Sequence, residues 1–271
     1  MLRIRTSALV LVLLSAWPAS ASERGADVVF VADGAGNYQM ASKMLRATVA
    51  SVAAPLQVET FVWSHGYKKT VLDQTDLTHA RSQGQRLAEV VLAYRRQHPE
   101  ARIHLLGHSA GSMVVLSAAE HLPPASVNCI VLLGPSVSCE YDIRPALRCA
   151  RGSVEVHYSG RDWVYLGLCT SLVGCADRKY CGASGRKGFS LWLEAPDDAP
   201  LLGRLRQHPW QPSDRELGHD GGHYGAYQPE YLKARVLPVL LGSLTAFPIP
   251  PAPTAPDPPL SASARRPPAG R

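Results

Sequence analysis

The stretch RIHLLGHSAGSMVVLSAAEHL, residues 102–122, decides the architecture. Arg102–Leu106 is a short β-run, Gly107–Gly111 places small residues around His108 and Ser109, and Gly111–His121 has helical period until Pro123 and Pro124 stop it. A serine set directly between a strand and a helix must occupy a very tight turn, and Gly107 and Gly111 at its flanks leave room for neighbouring backbone. Such a turn lifts the Ser109 hydroxyl above a sheet, with free N–H groups and a partial positive charge at the helix start behind it. The five letters G-x-S-x-G are weak alone; the strand before and the helix after make them informative.

The same rhythm repeats on both sides. Strands are expected at Asp27–Ala32, Leu56–Trp63, Arg102–Leu106, Asn128–Leu133, Val154–Tyr158 and Phe189–Leu193. Helical periodicity fills Tyr38–Val52, Ala80–Gln97, Gly111–His121 and Tyr231–Leu241. Alternation of this kind predicts an α/β fold with a mostly parallel central sheet of about six strands and helices on both faces. Ligands of such sheets bind beyond the carboxyl ends of the strands. Those positions hold Asp33–Gly36, Ser64–Gly66, Gly107–Gly111, Gly134–Ser136 and Ser159–Asp162.

The two ends read differently from the middle. Arg3 and Arg5, the apolar run Ala8–Trp17 and Pro18-Ala19-Ser20-Ala21 form the three regions of a secretory signal, so residues 1–21 are expected to be a leader cleaved after Ala21. About ten apolar residues are too few to span a bilayer, and no later segment reaches that length, so no integral membrane span is expected after cleavage. Residues 248–271 hold nine of the 22 prolines and almost no large apolar side chains, which predicts a Pro-rich disordered tail.

The 271 residues are 46% hydrophobic and 18% charged, a globular composition long enough for one large domain. The net charge of +6 resides mostly in the ends, through Arg3, Arg5, Arg265, Arg266 and Arg271, and no basic stripe interleaved with aromatics suggests nucleic acid. The six cysteines, Cys129, Cys139, Cys149, Cys169, Cys175 and Cys181, all lie in the second half. An even count behind an export signal predicts disulfides, with Cys139–Cys149 and a pair among Cys169, Cys175 and Cys181 favoured by short loops. Their spacing lacks the close pairs of a zinc site, and no metal is expected. Asp33-Gly34-Ala35-Gly36 lacks the third glycine of a dinucleotide loop and the Gly-Lys of a P-loop, so no nucleotide is expected either.

A serine hydroxyl attacks only when a base takes its proton and a third group orients that base. In sequence order the chain offers a strand, GHSAG, a helix, two strands, Ser159-Gly160-Arg161-Asp162, and then Gly218-His219-Asp220-Gly221-Gly222-His223-Tyr224-Gly225. Over residues 25–242 this order resembles the α/β-hydrolase family. The resemblance implies the hydrolase fold in a compact form over residues 22–247, and a nucleophile–acid–histidine order along the chain. It makes Ser109 the nucleophile and Asp162, two strands later, the acid, with Asp142 as the rival one strand too early. It puts the base in the glycine-rich loop before the last helix, as His223, with His219 as the alternative. His65 and His108 are candidate pocket-lining residues, and His104 alternates into the sheet as core.

The same resemblance implies an oxyanion hole from the Ala110 N–H and a donor in the loop after the first strand, Gly34 or Ala35. Many family members have His-Gly where this chain has Asp33-Gly34, so the second donor is the looser assignment. The segment between Asp162 and His223, with Trp163, Trp192 and Trp210, is where the family carries specificity loops, and these rings could either grip an acyl chain or pack as core. The resulting expectation is a secreted or periplasmic serine esterase, without cofactor, acting on a small-molecule or lipid-like acyl ester. An acyltransferase using the same triad, or a catalytically silent binding protein on this fold, is the alternative.

Overall fold

The computed structural model describes residues 27–190 and 199–242. Six strands form one sheet, all parallel: β1 (Asp27–Ala32), β2 (Leu56–Thr60), β3 (Ile103–His108), β4 (Cys129–Leu133), β5 (Val154–Tyr158) and β6 (Leu205–Pro209), in the order β2-β1-β3-β4-β5-β6. The chain leaves β1 for one edge at β2, then crosses back to lay β3 on the other side of β1. That reversal opens a crevice above the carboxyl ends of β1 and β3.

Alternation along each strand sorts the core into two layers. Val28, Phe30, Ile103, Leu105, Ile130, Leu132, Val154 and Val156 point to one face. There they meet Leu87 and Val91 of α3 (Leu77–Gln97), Met113 and Leu116 of α4 (Gly111–His121) and Leu147 of α5 (Arg144–Cys149). Val29, Val31, Leu106, Cys129, Val131 and Leu133 point to the other face. They meet Leu45 and Val49 of α1 (Met40–Ser51) and Tyr231, Leu232, Val236 and Leu240 near the end of the chain. The inner strands β1, β3, β4 and β5 are therefore buried on both sides, which is why they read as near-continuous apolar segments.

Several expectations are corrected. The second strand ends at Thr60 rather than Trp63, because Trp63 turns away and its Nε1 donates to the Asp33 carbonyl at 2.8 Å. The sixth strand is Leu205–Pro209, not Phe189–Leu193. Phe189 and Ser190 are outside any strand, their backbone N–H groups going to the Gln207 side chain and the Cys139 carbonyl, and residues 191–193 lie outside the described residues. A short helix before α3, α2 (Thr70–Thr75), was not expected. The terminal helix is not one regular run: it passes through Pro229–Tyr231, a π-helical Leu232–Val236 and Leu237–Leu240, since Pro238 cannot donate an intrahelical bond.

The expected disulfides are also corrected among the described side chains, where Cys129, Cys139, Cys149, Cys175 and Cys181 are free thiols. Cys149 is sealed in the core on the α4 face, away from Cys139, so the Cys139–Cys149 bridge does not form. The Cys169 side chain lies outside the described residues. Among those residues, no helix is long and apolar enough to cross a membrane.

Candidate active site

The turn between β3 and α4 carries Ser109 with φ 51°, a left-handed conformation that costs a non-glycine residue energy and survives only where surroundings impose it. Three features impose it. The Ser109 N–H donates to the Leu133 carbonyl at 3.0 Å, fixing the turn to the end of β4. A Cβ on Gly107 would come 2.7 Å from the Ser112 Cα, and one on Gly111 would overlap the carbonyl oxygen of Ala32. Only glycine at both flanks lets strand, turn and helix pack this closely.

Asp162 reaches the site from the loop after β5. The Asp162 N–H donates to the Ser159 carbonyl at 3.1 Å, closing a tight turn that aims the carboxylate back over the sheet. One oxygen accepts the Leu166 N–H at 3.4 Å, where a π-helical turn, Val164–Cys169, runs into α6 (Thr170–Val173). The other lies 2.6 Å from His223 Nδ1. His223 Nε2 in turn lies 2.9 Å from Ser109 Oγ. All three side chains are buried, and Tyr165 stacks on the His223 ring at 4.8 Å. Because Nδ1 faces a carboxylate, the neutral imidazole carries its proton there, leaving Nε2 to accept from the serine hydroxyl.

The rival residues are elsewhere. His219 packs edge-on against Tyr231 at 4.8 Å and accepts the Gly221 N–H through Nδ1, and burial lowers its pKa. Asp142 is half exposed and paired with Arg144 at 2.7 Å. His65, expected as a pocket residue, does not line the cavity: Asp73 and Asp76 hold its two ring nitrogens at 2.9 and 3.3 Å. His108 does line it, between His223 and Tyr227, and burial pushes its pKa down to about 3, so it stays neutral. His104 is core, as its alternation implies.

A cavity of about 550 Å³ opens over Ser109. Its walls come from the start of α1 (Tyr38, Met40), from α2 (Val71, Gln74), from Leu166 and α6 (Leu172, Val173), and from Tyr224 and Tyr227. The rings are tyrosines rather than the tryptophans of the Asp162–His223 segment. Trp163 stands exposed near Arg186, Trp210 binds the His219 carbonyl, and Trp192 lies outside the described residues. Burial pushes Tyr227 up to about 12 and Tyr224 above the usual tyrosine range, so both walls remain uncharged. Asp33 is the one acid in the lining, and burial raises its pKa; Oδ1 accepts the Ser42 N–H at 3.1 Å.

The Ala110 N–H opens α4 beside Ser109, and Gly34 and Ala35 face it from the loop after β1. The next N–H in that loop, of Gly36, is already given to Asp73 at 2.7 Å. Asp73 also accepts from Ser64 Oγ at 2.6 Å and from the His65 N–H at 2.9 Å, so one buried carboxylate ties the β1 loop, the β2 loop and α2 together. Nothing in the sequence marked it, because its partners are backbone and side-chain groups brought in from the two loops after β1 and β2. Among the described residues no group of three or more His, Cys, Asp or Glu side chains is arranged to hold a metal ion.

Residues 65–149 match a family model described as alpha/beta hydrolase fold. No curated protein matches the chain. Solved structures similar to it include a cutinase-like protein from Cryptococcus sp., 12% identical, with 82% of this chain and 97% of that one covered and a TM-score of 0.41. A protein from Xanthomonas campestris pv. campestris described as a hydrolase of the alpha/beta superfamily is 18% identical, with 80% and 99% covered and a TM-score of 0.44. An esterase from Thermogutta terrifontis is 12% identical, with 85% and 86% covered and a TM-score of 0.42. The six-stranded parallel sheet with helices on both faces, together with the family match over residues 65–149, gives the chain the α/β-hydrolase fold.

Proposed function

We propose that the protein is an exported serine hydrolase of carboxylic esters, in which Ser109 attacks the ester carbonyl, His223 takes the serine proton and Asp162 holds the imidazole. The observation that carries this reading is the continuous chain from Asp162 to His223 to Ser109, at 2.6 and 2.9 Å, at the floor of an apolar cavity. As Oγ bonds to the carbonyl carbon, its proton moves to His223 Nε2 and the imidazolium is stabilised by Asp162. The developing oxyanion is met by the Ala110 N–H and by Gly34 or Ala35, each such donor being worth roughly 3 kcal/mol. His223 then returns the proton to the departing alcohol. Water, activated by the same histidine, releases the acid from the acyl-enzyme.

An uncharged wall of tyrosine and aliphatic side chains suits an acyl chain better than a charged or sugar-like group. We read residues 1–21 as a cleaved leader, residues 22–247 as the catalytic domain and residues 248–271 as a tail, with the mature protein secreted or periplasmic. N-terminal sequencing of the exported form should begin at Ser22. Turnover of a panel of p-nitrophenyl esters of increasing acyl length tests the activity. The expected result is measurable hydrolysis that falls by about three orders of magnitude or more in Ser109→Ala. Equal rates in the wild type and this variant would overturn the proposal.

A further inference from the structure

A second cavity, of about 360 Å³, lies at the opposite end of the sheet from Ser109, at the amino ends of β3 to β6. It exists because the last helical segment stops at Leu240 and leaves the first residues of these strands uncovered on that face. Cys129, Gly152, Val239 and Gly242 border it together with the polar side chains of Arg102, His104, Asn128, Arg151, Ser153 and Arg206.

The donors at this cavity outnumber their acceptors. His104 is 2% exposed, and its Nδ1 lies 3.0 Å from the Cys129 sulfur. Burial holds the Cys129 thiol well above its usual range and pushes His104 down to about 4, so the thiol keeps its hydrogen and the imidazole is neutral. In the tautomer where the S–H donates to Nδ1, the imidazole proton sits on Nε2, and that nitrogen has no partner among the described residues. Arg206 Nε is likewise buried without one. The Asn128 carbonyl oxygen accepts the Ile103 N–H at 3.1 Å, which leaves its amide N–H groups for another acceptor.

The charges point the same way. Arg102 is satisfied by Asp27 at 2.7 Å and by the Leu241 carbonyl at 2.8 Å, so it also covers the negative end of the terminal helix. Glu155 lies 3.7 Å from Arg206, but its two oxygens are engaged by Ser153 Oγ and His208 Nε2, each at 2.5 Å. Arg151 has no acid partner among the described residues. Its charge, after the larger effect of burial, helps lower the pKa of Arg95. An unbalanced guanidinium, a half-used one and a buried imidazole nitrogen around one cavity leave positive charge and donors there without matching acceptors.

We propose that this cavity binds a phosphate group, with Arg151 supplying the charge and His104 Nε2, Arg206 Nε and the Asn128 amide supplying hydrogen bonds. The cavity is larger than inorganic phosphate, so the group can arrive free or as a phosphomonoester.

Calorimetric titration of the full mature chain with sodium phosphate, against sodium chloride at matched ionic strength, tests this. Saturable one-to-one binding is expected, weakened about tenfold or more in Arg151→Ala and in Arg206→Gln. Arg151 is exposed, so its variant should keep the wild-type melting temperature. In a ¹⁵N-histidine spectrum, phosphate should shift His104 Nε2 while leaving His223 in place. Glycerol 3-phosphate binding more tightly than phosphate would identify a phosphorylated metabolite as the ligand, and equal binding would identify the free ion. Absence of saturable binding, or wild-type affinity in both arginine variants, would overturn the proposal.

Discussion

Asp162 and His223 are both buried, so in the proposed mechanism the proton on Nδ1 and the charge developing on the ring have no water to fall back on. Asp162→Asn keeps the shape of the site but offers an amide where a carboxylate stood, which removes the charge and permits the wrong tautomer. A fall in kcat of about 10³–10⁴ is expected, with KM nearly unchanged, measured by steady-state ester hydrolysis. A fall of less than tenfold would remove Asp162 from its proposed role. Asp73 acts on a different quantity. It anchors the β1 and β2 loops to α2 through four hydrogen bonds, so Asp73→Ala leaves donors without partners and should cost about 3 kcal/mol. A lowered urea midpoint would report that loss, and an unchanged midpoint would contradict it.

The β3–Ser109–α4 unit is legible in the sequence because its constraint is local: a β-run, two glycines and a helix adjoin within 20 residues. Gly111→Ala tests the packing at that corner. The added methyl meets the Ala32 and Asp33 carbonyls, backbone that cannot swing aside, so a loss of about 2 kcal/mol or more and a melting temperature several degrees lower are expected by calorimetry. Strands β1, β3, β4 and β5 were equally readable, since the two-sided burial of a parallel sheet demands runs such as DVVFVA and CIVLL. β6 was not. As an edge strand, LRQHP is half exposed and carries no apolar run, whereas Phe189–Leu193 has the apolar composition of a strand without a slot in the described sheet. The cysteines misled for a related reason: counting them says nothing about which face of the sheet each thiol enters. The acid and the histidine loop were located from the resemblance and not from local chemistry, since Asp162 and His223 stand 61 positions apart and meet only through the sheet.

Buried neutral histidines couple the stability of the fold to pH. His104 is lowered to about 4 and His108 to about 3, both by burial, from an ordinary value near 6.5. Below pH 6.5 the unfolded chain binds protons that the folded chain refuses, so stability must fall as pH drops from about 6.5 toward 4. Each such histidine contributes a slope of up to about 1.4 kcal/mol per pH unit in that window. Asp33, whose pKa burial raises, acts in the opposite sense: the folded chain holds its proton longer, so its contribution weakens stability as pH rises above 3.8. Burial lowers His157 and His219 as well, so four histidines act against one acid, and the urea midpoint at pH 4.5 should lie well below that at pH 7.5. Replacing His104 by glutamine should flatten the slope, and an identical slope in that variant would contradict this account.

The proposed hydrolysis requires Ser109 to be an activated nucleophile, and a fluorophosphonate probe tests that directly. Attack by Oγ on phosphorus expels fluoride and leaves a stable phosphonyl-serine, which intact-mass and peptide mass spectrometry locate without any assumption about the natural ester. Near-stoichiometric labelling is expected on Ser109, lost in Ser109→Ala and strongly slowed in His223→Ala. A folded wild-type protein that stays unlabelled, or that is labelled at another residue, would contradict the assignment of Ser109, His223 and Asp162 as the working site.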